Sequence, residues 1–91
     1  MIEAAPPLAA LEPALVGSLV IACSDLAEGF AAPPDSRRRA RSHQRAWTTV
    51  KAIDRQVAAI GRRRDRPHEV VQKAQRAIDR ADVLVGALLP I

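Results

Sequence analysis

Arginine is the residue type in this chain with the clearest capacity for recognition chemistry. Ten arginines and one lysine lie between Ser36 and Arg66, against only two aspartates. Guanidinium groups pair with phosphate oxygens through parallel hydrogen bonds, so clustered arginines are typical of surfaces that bind polyanions. Two clusters are candidate nucleic-acid contacts: Arg37, Arg38, Arg39, Arg41 and Arg45, and Arg62, Arg63, Arg64 and Arg66. The rest of the chain is acidic on balance, which favours RNA, DNA or an acidic protein surface as the partner of the central segment.

The first cluster crowds the predicted start of a helix, where the helix dipole places partial positive charge. An exposed cation there is disfavoured by about a few tenths of a kcal/mol, whereas a bound phosphate would be stabilised by the dipole and the arginines together. This argument predicts that the arginines are retained for contact with a partner rather than for fold stability. A plainer interpretation stays open, in which the arginines only solvate a helix.

Candidate catalytic and metal-binding residues are few. Nucleophilic catalysis needs a nucleophile held by a base, and Cys23 with His43 or His68 is the only such combination, with no spacing that brings the side chains together. Asp65 and His68 approach the acid-x-x-His motif of metal sites in helical bundles, but Asp65 is better explained as a helix N-cap. The four glycines stand singly, so no phosphate-binding loop is present. We therefore predict a protein that is not an enzyme and has no cofactor or metal.

A single cysteine excludes an intramolecular disulfide and favours a reducing compartment. Cys23 lies on an apolar helix face, where it acts as a small hydrophobic residue. Residues 20–23 resemble a lipoprotein cleavage box, but no lysine or arginine precedes Arg37, whereas a secretory leader begins with positive charge. The apolar run of residues 14–22 is shorter than the roughly 20 residues of a membrane span. We predict a soluble, cytoplasmic protein without a membrane partner.

Apolar residues recur at three- and four-residue steps, which is the periodicity of an amphipathic helix. Pro13 and Pro67 fit the first turn of a helix, and Asp35 or Ser36 fits an N-cap. No strand pattern is present. We predict helices over about residues 13–28, 36–60 and 67–89, forming one domain over residues 13–91.

The predicted helix ends and the N-terminal segment depend on glycine and proline. Gly29 and Gly61 fit the position just after a helix, where a left-handed backbone favours glycine, and Phe30 would fold its ring back onto the last turn as core. Pro6 and Pro7 lie within residues 1–12, which we predict to form a flexible, extended arm whose leucines touch the bundle.

The segment Ser24–Phe30, Ser-Asp-Leu-Ala-Glu-Gly-Phe, resembles the Ser-Asn-Ile-Ala-Glu-Gly-Phe segment of the 23S ribosomal RNA intervening-sequence proteins, a family of small bacterial four-helix bundles. Residues 46–57 look like a second stretch of that family, and the resemblance covers about residues 15–89. Asp25 replaces the usual Asn. Only fourteen residues precede Leu15, where the family's first helix would need about twenty. The matching motif residues are Ser24, Ala27, Glu28, Gly29 and Phe30.

The resemblance implies an all-α, up-and-down antiparallel bundle with three clear helices and a missing or rudimentary fourth. The chain is also similar, in helix pattern, to an accessory protein of diversity-generating retroelements, a basic four-helix bundle that forms a pentameric barrel and associates with a reverse transcriptase and nucleic acid. We therefore predict a small homo-oligomer that binds RNA or DNA backbone through the arginine-rich segment 37–66. The alternative is a protein-interaction module that assembles with itself or with a dedicated partner subunit.

Overall fold

The helical periodicity of the sequence produces four α-helices in a computed structural model, which describes residues 1–63 and 65–89. Within those residues the fold is 82% helical and contains no strand. A short 3-10 turn, Ile2–Ala4, leads into the first helix. The helices are α1, Ala5–Leu11; α2, Ala14–Ala31; α3, Arg37–Gly61; and α4, His68–Gly86.

Each helix packs against the next one along the chain, and α1 also packs against α4. Side-chain contacts show that α3 and α4 are antiparallel: Trp47 on α3 bonds to Asp82 on α4, whereas Asp54, further along α3, bonds to Gln75, earlier on α4. The helices therefore form an antiparallel, up-and-down bundle that is 45 Å long. Because α1 has only seven residues, it covers part of the length of its neighbours and is the rudimentary fourth helix of a four-helix bundle.

The N-terminal segment is helical and packed, so the prediction of a flexible arm over residues 1–12 is wrong. Leu8 and Leu11 are fully buried in the core. Pro6 and Pro7 occupy the start of α1, where the missing amide hydrogens would have had no intrahelical acceptor, so the prolines begin a helix instead of extending the chain. Arg66 fixes the other end of α1 by donating to the carbonyl oxygen of Leu11 at 2.7 Å.

The core is built mainly from small and medium side chains along the inner faces of the helices. The largest fully buried residues are Leu8, Leu11, Val50, Ile53, Val57, Ile78 and Val85. The buried alanines of the core include Ala22, Ala46, Ala74 and Ala81. Side chains of this size bury little area each, which makes every leucine and isoleucine of the core a large contributor to stability.

The helix ends differ from the prediction at the two glycines. Gly29 lies inside α2, which continues to Ala31, and Gly61 is the last residue of α3; no described glycine has a positive φ. Asp35 takes the left-handed conformation instead, with φ of 64°, in the turn between α2 and α3. Ser36 is the N-cap of α3, and its hydroxyl oxygen accepts a hydrogen bond from the Arg39 amide at 3.1 Å.

The apolar character of α2 extends further than the run predicted over residues 14–22. The whole helix, Ala14–Ala31, has the length and composition of a membrane span, and only 22% of it is buried in the bundle. Core helices of soluble proteins pass the same test when they are mostly buried. The low burial of α2 therefore marks an apolar surface that the bundle itself does not cover.

Candidate polyanion-binding surface

The Arg39 side chain closes the end of the preceding helix. Its Nε donates to the carbonyl oxygen of Gly29 at 3.0 Å, and its Nη2 donates to the carbonyl oxygens of Phe30 and Ala32, both at 3.1 Å. The last carbonyls of a helix have no intrahelical donor and carry the negative end of its dipole. Arg39, at the start of α3, thus satisfies the end of α2, a structural role that the sequence did not predict for this arginine.

We expect Arg39→Gln to lower the free energy of unfolding by about 1–2 kcal/mol, because three carbonyls lose a charged donor. Arg37→Gln is the matched control: Arg37 is exposed, in the same helical turn, and its substitution should change stability by less than about 0.5 kcal/mol. Urea denaturation followed by circular dichroism measures both. Equal effects at the two positions would contradict the capping role.

Three more candidate arginines also have partners within the chain. Arg45 lies 3.2 Å from Glu28 and 3.6 Å from Asp25, and Arg38 lies 3.8 Å from Glu28. These pairs join α3 to α2 and are exposed enough to contribute little stability. Arg66, besides capping α1, approaches Glu12 at 3.5 Å. Four of the nine predicted contact residues are therefore engaged in the fold.

The remaining arginines of α3, together with Arg62 directly after its end, lie on the side of the helix that faces away from the bundle. We call Arg37, Arg41, Arg55 and Arg62 the arginine stripe. The intervals of 4, 14 and 7 residues return to nearly the same side of a helix with 3.6 residues per turn, and all four positions are exposed. The stripe extends over about 37 Å at 1.5 Å per residue. Arg63 is exposed beside its end, and Arg64 lies outside the described residues.

The stripe connects the two arginine clusters of the sequence through Arg55. Arg55 was missing from the candidate residues because it stands alone in the sequence, yet its register places it between the two clusters. The signal was available, since Arg41 and Arg55 are separated by fourteen residues, or nearly four full turns. Gln44 and Thr48 share this exposed side, whereas Asp54, the only acidic residue of α3, accepts a hydrogen bond from Gln75 at the interface with α4.

Trp47 and Lys51 lie beside the stripe, in the groove between α3 and α4. The Trp47 indole donates to Asp82 Oδ1 at 3.1 Å, and the Lys51 ammonium donates to Asp82 Oδ2 at 3.1 Å while lying 5.1 Å from the centre of the indole ring. A shallow surface depression is lined by Trp47, Thr48, Lys51, Ala52 and Arg55. The sole tryptophan of the chain thus reports on the surface that carries the stripe.

Residues 24–30, which resemble a segment of the intervening-sequence proteins, form a corner between α2 and α3. They do not form a helix end capped by glycine. The His43 imidazole packs against Gly29, and its ring centre lies 4.8 Å from that of Phe30, at an interplanar angle of 62°. Phe30 is 53% exposed, so the prediction that its ring is core is wrong. His43 is buried and its Nε2 has no hydrogen-bond partner among the described residues, so this nitrogen is not paired with Cys23.

Two of the predicted chemical candidates lie apart from any cluster of ligands. His68 is an exposed residue in the first turn of α4, and Pro67, not Asp65, occupies the N-cap position of that helix. In residues 1–63 and 65–89, no group of three or more histidine, cysteine, aspartate or glutamate side chains is arranged to hold a metal ion. Cys23 is a partly buried, free thiol packed against the core.

Comparisons of the chain with protein-family models, with curated proteins and with solved structures gave no match. The resemblance to the intervening-sequence proteins therefore stays a prediction that depends on residues 24–30 and on the helix pattern.

Proposed function

We propose that this protein is a non-catalytic helical-bundle protein that binds the phosphate backbone of RNA or DNA through the arginine stripe. The observation that carries the proposal is the register of Arg37, Arg41, Arg55 and Arg62 on one exposed side of α3. The stripe is straight and about 37 Å long, so a nucleic-acid strand lying along it meets successive guanidinium groups. The arginines at positions 38, 39, 45 and 66 have partners within the chain, and the proposed surface does not include them.

Binding of this kind should be weakly sequence-selective and strongly dependent on salt. Each neutralised phosphate releases counterions, so the logarithm of the binding constant falls with the logarithm of salt by about 0.9 per contact on duplex DNA and about 0.7 on single strands. The chain has one tryptophan and no tyrosine, and Trp47 lies beside Arg55. Its fluorescence is therefore a direct measure of occupancy of the surface.

We expect the double variant Arg41→Gln, Arg55→Gln to reduce the slope of the logarithm of the binding constant against the logarithm of salt by roughly 1.4–1.8, because two phosphate contacts are lost. The matched control is Arg38→Gln with Arg45→Gln, which removes the same charge from arginines that face Glu28 and should leave most of the slope intact. Titration of labelled RNA and DNA at several salt concentrations gives both slopes. Equal flattening by the two variants would mean that net charge, and not the stripe, determines binding.

The second candidate function is protein association, in which the helices assemble with a copy of the chain or with another subunit. It is favoured by the number of large apolar side chains that remain exposed, among them Val20, Ile21 and Val83, at 61%, 59% and 71%. Absence of any binding to RNA or DNA at low salt would favour this candidate over the first. Cytoplasmic localisation remains a prediction under both.

A further inference from the structure

The arginines of the stripe are unevenly spaced along α3. Arg37 and Arg41 are about one helical turn apart. At 1.5 Å per residue, Arg55 lies about 21 Å beyond Arg41, and Arg62 lies about 11 Å beyond Arg55. Arg63, which is also exposed, follows Arg62 directly. The stripe, together with Arg63, therefore forms three groups of positive charge that are separated by one wide and one narrow interval.

Both basic residues inside the wide interval have acidic partners. Arg45 lies 3.2 Å from Glu28 on α2, and Lys51 lies 3.1 Å from Asp82 on α4. The side chains that remain on the outer side of this interval are uncharged and exposed: Gln44, Thr48 and Ala52. A ligand that follows the stripe therefore meets positive charge, then about 21 Å of uncharged surface, and then positive charge again.

The two backbones of a double helix cross a straight line along its surface at unequal intervals. A wide and a narrow groove alternate along such a line and together make one helical turn, which is about 34 Å in B-form DNA. Groove widths of about 12 and 6 Å, with about 6 Å added for the phosphate groups, divide this turn into intervals of roughly 20 and 14 Å. A-form RNA duplexes also alternate between a wide and a narrow groove. Phosphates of a duplex are thus grouped along a line as the arginines are grouped along α3.

We infer that the stripe binds double-stranded nucleic acid, with α3 lying along the duplex so that its three arginine groups meet three successive crossings of the two backbones. The inference rests on the proposed function and specifies the form of nucleic acid that the stripe binds. Arg55 meets the middle crossing, and the wide groove lies opposite Thr48. The intervals of the stripe agree with those of B-form DNA to within about 3 Å, a difference that the flexible stems of arginine side chains cover.

A single strand matches this surface less well than a duplex does. Its phosphates follow one another without a groove, so the phosphates that pass the wide interval would have no basic partner there. Proteins that bind single strands also stack the bases on aromatic side chains. The chain has one tryptophan and one phenylalanine, and neither is free on the stripe. The Trp47 ring lies in the groove between α3 and α4, 5.1 Å from the Lys51 ammonium, and the Phe30 ring packs against the buried His43.

An arginine added inside the wide interval tests the arrangement. Thr48→Arg places a guanidinium group about 10 Å from Arg41 and from Arg55, opposite the wide groove and away from the phosphates of both backbones. Ala59→Arg is the matched control, because it adds the same charge to the same exposed side of α3 but within the narrow interval, about 6 Å from Arg55. Both variants should keep the wild-type unfolding midpoint, since both positions are exposed.

The wild type and the two variants are titrated at several salt concentrations with a labelled DNA duplex of about 12 base pairs, an RNA duplex of the same length and a single strand of oligothymidine. The wild type should bind at least one duplex about tenfold or more tightly than the single strand, and comparison of the two duplexes identifies the preferred form. On that duplex, Ala59→Arg should increase the slope of the logarithm of the binding constant against the logarithm of salt by about 0.9, whereas Thr48→Arg should change it by less than about 0.3. On the single strand, both variants should increase the slope by about 0.7.

Failure of this inference is distinguishable from failure of the proposed function. Equal increases of the duplex slope by Thr48→Arg and Ala59→Arg, or single-strand binding as tight as duplex binding, overturn the inference and leave binding of nucleic acid through the stripe intact. Absence of binding to all three nucleic acids at low salt contradicts the proposed function and the inference together.

Discussion

Replacing Leu8 with alanine should lower the free energy of unfolding by about 2–5 kcal/mol. Leu8 is fully buried, and α1 presses it into the core between α2 and α4. A domain of this size has about 5–14 kcal/mol of total stability, so the loss would be a large part of the whole. The variant should unfold at a clearly lower urea concentration, measured by circular dichroism at 222 nm.

Ala9→Gln provides the control for Leu8→Ala on the same short helix. Ala9 is exposed, and glutamine is a good helix former, so stability should change by less than about 0.5 kcal/mol. An unchanged unfolding midpoint for Leu8→Ala would show that residues 2–11 are not part of the cooperative core and would restore the interpretation of this segment as a flexible arm.

The three long helices could be predicted because their signal is local. Eighteen or more residues with apolar side chains at three- and four-residue steps specify a helix and its buried face, and the observed starts of α2, α3 and α4 lie one residue from the predicted ones. The helix α1 gave no such signal, because its seven residues are only two turns. Proline at its start is compatible with both an extended arm and a first helical turn, and only burial of Leu8 and Leu11 distinguishes the two.

The roles of individual arginines could not be predicted from their spacing alone. Arg37, Arg38 and Arg39 are consecutive, yet one is exposed, one approaches Glu28 and one caps α2. Successive residues on a helix point about 100° apart, so a run of identical residues in the sequence is divided among different surfaces. The target of Arg39 is a set of backbone carbonyls ten to seven residues earlier, whose position depends on the turn made by Asp35.

Gly29 was predicted to be required by the structure, but the physical reason given for it was wrong. A glycine before an apolar residue and a proline-rich turn is typical of a helix end with a left-handed backbone. Glycine is needed at this position because of close packing and not because of backbone conformation. The His43 imidazole lies directly against the backbone at Gly29. That contact joins residues fourteen apart and depends on the angle between α2 and α3.

Gly29→Ala should therefore destabilise the protein through a steric clash. An added Cβ would lie 2.6 Å from His43 Nε2, closer still to its Cδ2, and 3.3 Å from Ser42 Cβ. Alanine favours a helix by about 1 kcal/mol over glycine, but overpacking a buried site typically costs about 1–3 kcal/mol. The imidazole is buried and Phe30 lies against it, so the clash is with a packed side chain. We expect a net loss of about 1–2 kcal/mol in urea denaturation.

The sign of this effect should reverse when the imidazole is removed. In a His43→Ala background the added methyl group of Gly29→Ala enters vacated space, so only the gain in helix propensity, up to about 1 kcal/mol, remains. Gly17→Ala is the control in the same helix: its Cβ would be unobstructed, and at concentrations where the chain is monomeric it should stabilise by a similar amount. If Gly29→Ala still destabilises the protein in the absence of His43, backbone conformation and not packing is the cause. A double-mutant cycle between positions 29 and 43 thus distinguishes packing from conformation, because only packing makes the two substitutions interact.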